Sequence, residues 1–245
     1  MTTITRAMLL AAGLGARMRP LTETRPKPLI QVSGRALLDH ALDRLAEAGV
    51  ETVVINTHWL GEQIADHVNG RVEPHIVLSP ERDLLETGGG VVKALPQLGD
   101  APFFVVNADS LWLDGTTPAL RRLAASWRDA DMDALLLVHR TVSAVGYDGP
   151  GDFFADQLGK LTWRQSGEVA PYAHAGVHIL HPRLLKGAPA GAFSLNKSWR
   201  QAEAAGRLHG LVHDGLWFHV GTPGDLAEAQ RHLDELRLLV PERTD

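Results

Sequence analysis

Apolar residues along this chain come in two rhythms. Unbroken apolar runs at 7–12, 103–106 and 134–139, with a β-branched run at 52–56, have the texture of strands buried on both faces. Between them, apolar residues recur every three or four positions. In 37–48, Leu38, Leu42 and Leu45 hold helical spacing until Gly49 ends the pattern. The same reading predicts helices over 60–68, 86–94 and 117–129, and a short third strand at 76–78. A closing amphipathic helix over 225–238 carries Leu226, Ala229, Leu233 and Leu236 on one face. From Gly146 the texture changes. Hairpins and loops dominate, with strands near 160–164, 175–180, 209–213 and 217–220, and a helix over 193–206 that takes Ser194 as its cap. Alternating strands and helices predict an α/β fold. Its core is a Rossmann-like, mostly parallel central sheet flanked by helices, and a smaller α+β lobe begins near residue 141. Ligands on such sheets sit beyond the carboxyl ends of the strands.

Composition narrows this picture. The chain has 245 residues, 44% of them apolar, enough for one domain over 1–245 with a substantial core. The net charge of −5 leaves no footprint for nucleic acid. There is no cysteine, hence no disulfide framework and no thiolate metal site. No apolar run approaches the roughly 18 residues of a membrane span. The apolar N-terminal run breaks at Gly13 and reads as a first strand, so the expectation is a cytoplasmic protein, monomeric or a small homo-oligomer.

The densest chemistry follows that first strand. Gly13 and Gly15 can take positive φ and let backbone N–H groups approach a ligand. Arg17, Arg19, Arg25 and Lys27 place four cations within eleven residues. Pro26 and Pro28 restrict the backbone on both sides of Lys27. Donors and cations together suit a phosphate chain. The stretch lacks the Gly-Lys-Ser/Thr ending of a P-loop, and Met18 stands where a dinucleotide fingerprint needs its third glycine. Asp109 closes the fourth strand, either as a carboxylate holding Mg²⁺ against phosphate oxygens or as a turn residue. Three consecutive glycines, Gly88 to Gly90, suggest close approach of a base or ribose to the backbone, or a loose hinge.

Gly13-x-Gly15-x-Arg17, Pro20-Leu21-Thr22 and Pro26-Lys27-Pro28-Leu29 together resemble the signature of the sugar nucleotidyltransferases, which have a GT-A-like fold. Glu86-Thr87-Gly88-Gly89-Gly90 and Ser79-Pro80-Glu81 look most like the members that act on N-acetylmuramate 1-phosphate with UTP, in peptidoglycan recycling. The resemblance implies transfer of a nucleoside monophosphate from an NTP, UTP rather than GTP, to a sugar 1-phosphate. It implies nucleotide contacts from Ala11, Ala12, Gly13, Gly15, Ser79, Glu81, Thr87 and Gly88. Arg17 would hold the leaving phosphates and Lys27 the α-phosphate. Sugar contacts would come from Asn107, Asp152, Glu168, Gly176 and Lys197, with Asn196 beside the last. Asp109 would hold Mg²⁺ or Mn²⁺. The run from Trp217 to Pro223 resembles a second metal motif, with His219 where aspartate is usual. An imidazole suits a hard cation poorly, so His219 could hold Mn²⁺, act through water, or leave the metal to Asp109 and the phosphates. Alternatives are a guanylyltransferase for mannose or heptose 1-phosphate, and a non-catalytic nucleotide or sugar sensor.

Overall fold

The first strand's alternation decides the layering. The computed structural model describes residues 3–239. Its strands are β1 (Arg6–Leu10), β2 (Gln31–Val32), β3 (Arg35–Ala36), β4 (Thr52–Thr57), β5 (His75–Pro80), β6 (Phe103–Asn107), β7 (Leu111–Leu113), β8 (Ala134–Arg140), β9 (Phe153–Ala155), β10 (Leu161–Trp163), β11 (Tyr172–Leu180), β12 (Leu208–Val212) and β13 (Leu216–Phe218). Its helices are α1 (Leu37–Glu47), α2 (Gly61–Val68), α3 (Glu86–Leu98), α4 (Ala119–Ser126), α5 (Asn196–Ala204) and α6 (Pro223–Leu239).

Successive side chains of a strand point to opposite faces. Ala7 and Leu9 of β1 therefore join Leu38, Leu42 and Leu45 of α1 and Ile64 of α2. Met8 joins Val91, Ala94 and Leu98 of α3 and Trp199 of α5 on the other face. Each leucine so buried contributes about 1.5–3 kcal/mol. A third cluster packs Met18 and Leu37 on Phe218 and Leu233, which ties the loop after β1 to α6.

The main sheet runs β10-β9-β11-β6-β1-β4-β5, with β8 pairing β11 and β12 pairing β8. The central strands β6, β1, β4 and β5 are parallel, and β11 is antiparallel to β6. The mostly parallel sheet expected from the sequence is thus present, with an antiparallel edge built by the later lobe. Leu10 lies in register with Asn56 and with Asn107, so β1, β4 and β6 end level on one rim.

Departures from the sequence reading are local. The two-residue strands β2 and β3 and the three-residue β7 are too short to leave a period. Helix α3 runs four residues past the expected end, through Pro96, which removes one intrahelical hydrogen bond close to the terminus. Helix α4 is shorter than expected because Pro118 and Trp127 bound it. Helix α5 is capped by Leu195 rather than Ser194, and the Leu195 amide donates to Thr87 Oγ1 at 2.9 Å.

Candidate functional site

A cleft of about 510 Å³ opens at the rim where β1, β4 and β6 end. One wall is the loop after β1. Gly15 takes φ 61°, and a Cβ there would lie 2.8 Å from Thr22 Cγ2 and 3.2 Å from Lys27 Cβ. Glycine is required for both reasons. Gly13, by contrast, has open space around it and no positive φ. The buried Thr22 hydroxyl donates to Gly15 O at 2.8 Å, and Trp59 Nε1 donates to Thr22 O at 3.0 Å. The loop is therefore folded onto itself and pinned from the β4–α2 connection. Ala11, Ala12, Gly13, Gly15 and Arg17 all line the cleft.

Lys27 leaves Pro26 at the start of a short 3₁₀ turn and crosses to Asp109, with Nζ 2.6 Å from Oδ2. Both side chains line the cleft, as does Asn107. The pair joins the signature loop to the carboxyl end of β6.

A second clamp joins Glu81 to Asn56, a residue the sequence reading did not select. Asn56 Oδ1 accepts from the Ala11 amide at 2.8 Å, and its Nδ2 donates to Glu81 Oε1 at 2.7 Å. Glu81 Oε2 accepts from the Leu85 amide at 2.9 Å. Both carboxylate oxygens of Glu81 are thus spent on the protein, and Ser79 is buried in β5. Neither residue, both expected at the base, is among those that line this cleft. Asn56 was legible as the end of a strand neighbouring β1, where side chains reach the rim. Glu86 also lines the cleft, at φ 58°, a conformation that costs a non-glycine residue of order 1–3 kcal/mol.

The triple glycine is not a loop. Gly88, Gly89 and Gly90 are buried in the first turn of α3. A Cβ at Gly88 would overlap the Phe193 ring, and one at Gly89 would overlap Gly191 O. At Gly90 it would sit 2.8 Å from Glu81 Oε1. The Gly88 amide donates to Phe193 O at 2.8 Å. What approaches Gly88 and Gly89 is the 191–195 segment, and what approaches Gly90 is the Asn56–Glu81 pair. Thr87 alone of the expected pair faces the cleft.

A smaller cavity of about 250 Å³ shares Leu10, Thr87 and Asn107 with the cleft, so the two are continuous. Asp152, Asn196, Trp163, His174, His178 and Trp199 also line it. Asp152 Oδ2 accepts from the His174 amide at 2.9 Å, and burial pushes its carboxyl pKa up. Burial pulls His174 down to about 4 and His178 well below 6.5, so both rings are neutral near pH 7. The other expected sugar contacts lie elsewhere. Glu168 is exposed and accepts from the Gln165 amide within its turn. Gly176, at φ 78° in the β11 irregularity, makes room for Ser110 and Asn107. Lys197 is exposed on α5, one residue past Asn196.

His219 is half-buried and is not among the residues that line the cleft, although Gly221 is. Its ring meets Tyr147 edge-on at 5.6 Å and Trp217 at 6.0 Å, and a Cβ at Gly221 would be 2.6 Å from its Nε2. Burial lowers its pKa. The neighbouring Asp225 accepts from the Gly221 and Thr222 amides as part of the α6 cap. Among the described residues no three His, Cys, Asp or Glu side chains gather to hold a metal. Mg²⁺ commonly takes one or two carboxylates and completes its shell with substrate phosphates and water. Asp109 fits that use, whereas the nitrogen of His219 fits it poorly.

The MobA-like NTP transferase domain matches residues 7–212. An N-acetylmuramate α-1-phosphate uridylyltransferase of Caulobacter vibrioides is 44% identical over 234 residues, covering 94% of this chain and 97% of that protein. One from Neisseria meningitidis is 39% identical, covering 92% and 96%. Among solved structures, UDP-glucose pyrophosphorylase complexed with UDP-glucose superposes with a TM-score of 0.79 at 16% identity, covering 96% of this chain and 100% of that one. No helix among the described residues is long and apolar enough to cross a membrane.

Proposed function

The chain belongs to the MobA-like NTP transferase family, and from that premise we propose that it transfers uridylate from UTP to N-acetylmuramate 1-phosphate, releasing pyrophosphate. The observation that carries the reading is the Lys27–Asp109 pair lining one cleft together with the Gly15 turn and Arg17. An oxygen of the sugar phosphate bonds to the α-phosphorus of UTP. The bond from that phosphorus to the bridging oxygen breaks, and the electron pair leaves with pyrophosphate. No general base is needed, because the attacking oxygen is already anionic. Such transfers depend on positioning and on neutralising charge.

Backbone donors of the 13–17 loop and the Arg17 guanidinium hold the phosphates that leave. Lys27 neutralises the α-phosphate as charge builds. Asp109 would hold Mg²⁺, which supplies a Lewis acid for the phosphate oxygens. Asn56 and Glu81 keep the rim in place, and Thr87 and Glu86 face the nucleoside. Asn107 and Asp152 take sugar hydroxyls in the adjoining cavity. The product is a nucleotide sugar for cell-wall metabolism, made in the cytoplasm as part of peptidoglycan recycling.

The test is pyrophosphate release from a matrix of UTP, GTP and several sugar 1-phosphates with Mg²⁺ or Mn²⁺. UTP with N-acetylmuramate 1-phosphate should be fastest. Highest activity with GTP and mannose or heptose 1-phosphate would overturn the substrate assignment. Nucleotide binding without release from any pair would make the chain a sensor. Asp109→Asn should abolish metal-dependent turnover, and activity retained at saturating Mg²⁺ would remove Asp109 from the site.

A further inference from the structure

Among the described residues, three that are not glycine take positive φ: Ser33, Leu60 and Glu86. Of these only Glu86 lines the cleft. Glycine would hold φ 58° without strain, so this position keeps a side chain where none would be easier. The backbone on either side is fixed. The Leu85 amide donates to Glu81 Oε2 at 2.9 Å, and the Leu85 carbonyl accepts from the Phe193 amide at 3.1 Å. Beyond Glu86, Thr87 Oγ1 accepts from the Leu195 amide at 2.9 Å, and the Gly88 amide donates to Phe193 O at 2.8 Å. Backbone strain persists where its surroundings impose it in this way, and such positions cluster at ligand clamps.

The carboxylate presented there is unspent. Asp109 is paired with Lys27, and Asp152 accepts from the His174 amide. Glu86 is exposed and belongs to none of the ion pairs among the described residues. Its neighbour Thr87 lines both the cleft and the smaller cavity, so Glu86 stands near the place where the two spaces join. The phosphates of UTP are assigned to the Gly15 turn, Arg17 and Lys27, and the acceptor sugar to the smaller cavity. The ribose is bonded to the α-phosphate that the acceptor attacks, so it too lies close to that junction.

An ionised carboxylate only accepts hydrogen bonds. The phosphates of UTP are anionic acceptors as well and repel it. The donors UTP offers are the 2′ and 3′ hydroxyls of its ribose and a single uracil N–H. The two hydroxyls stand on adjacent carbons, a pair of donors for the two oxygens of one carboxylate. We propose that Glu86 accepts from the ribose hydroxyls and thereby selects ribonucleotides over 2′-deoxyribonucleotides. This deepens, and rests on, the assignment of the cleft to UTP. A site that hydrogen-bonds a substrate hydroxyl discriminates against the analogue that lacks it.

UTP and 2′-deoxy-UTP, each with Mg²⁺, are titrated calorimetrically into the intact protein without sugar phosphate, and into Glu86→Ala and Glu86→Gly. Wild type should bind UTP about tenfold more tightly, as loss of a charge-assisted hydrogen bond implies. Both variants should bring the two affinities close together. Urea titration separates strain from contact. Glu86→Ala keeps a Cβ at positive φ and Glu86→Gly does not, so the glycine variant should unfold at the higher urea concentration. Equal wild-type affinities, a preference that survives both substitutions, or equal urea midpoints for the two variants would overturn the proposal. Pyrophosphate release from UTP and N-acetylmuramate 1-phosphate is followed on the same samples. A ribose preference without release would defeat the transferase reading and leave the Glu86 contact standing. Release without the preference would do the reverse.

Discussion

Lys27 is held from both ends. Pro26 and Pro28 fix its backbone, and Asp109 takes its ammonium at 2.6 Å. A lysine so placed needs little reorganisation to meet charge developing on a phosphate, the condition under which preorganised electrostatics lower a barrier. Lys27→Ala should therefore cut kcat by about 10²-fold or more while changing nucleotide affinity far less. Steady-state kinetics beside direct nucleotide titration checks this, and a loss confined to affinity would make Lys27 a ground-state anchor. The loop that carries it was readable from the sequence, because glycine, proline and cation spacing is itself the local geometry. His219 was readable only as a departure from a pattern. What its ring touches, Tyr147, Trp217 and the space over Gly221, depends on three separate segments. Glu81 is ambiguous in the sequence for a related reason. A carboxylate beside a base site and one clamping Asn56 and Leu85 give the same sequence signal.

At the scale of elements, α3 and the 191–195 segment form a fitted joint. Phe193 exchanges backbone hydrogen bonds with Leu85 and Gly88, and Thr87 takes the Leu195 amide. Replacing a helical glycine by alanine usually gains roughly 0.5–1 kcal/mol. Gly88→Ala should instead destabilise by about 1–3 kcal/mol, because the new methyl meets the Phe193 ring. Phe193→Leu should recover part of that loss. Urea titration of the two single variants and the double would show the coupling, and simple additivity would mean the two positions do not meet. A run of glycines signals close approach without saying what approaches, so the sequence could not separate a ligand from a neighbouring chain segment. The parallel strands fared better. Their apolar runs and β-branched residues sit between helical periods, and that alternation alone predicts the sheet and its rim. On the antiparallel edge, β11 and β10 were readable in part, as strands near 175–180 and 160–164, whereas the three-residue β9 is too short to show a period.

The whole molecule carries a signature of its buried imidazoles. His174 titrates near 4 when folded, because burial disfavours its charged form, against 6.5 for an ordinary histidine. Between those values the unfolded chain binds a proton that the folded chain refuses. Stability is thus full above about pH 6.5 and falls as pH drops toward 4, by up to about 1.4 kcal/mol per unit for this group. His178, lowered by burial and by its neighbour His174, adds in the same direction. Urea midpoints at pH 7.5 and 5.0 should show the loss, and His174→Phe should flatten it. A slope unchanged in that variant would assign acid sensitivity to other groups.

The tryptophans are distributed so that the smaller cavity and the loop after β1 each have their own reporter. Of six in the chain, Trp163 and Trp199 line the smaller cavity, while Trp59 holds the loop after β1 through Thr22. Intrinsic fluorescence should then change in two separable ways. Sugar phosphate alone would perturb the first pair, and nucleotide alone would perturb Trp59. Stopped-flow emission from wild type, Trp59→Phe and the Trp163→Phe/Trp199→Phe double variant would read the order in which the two substrates arrive, with no label and no coupling enzyme.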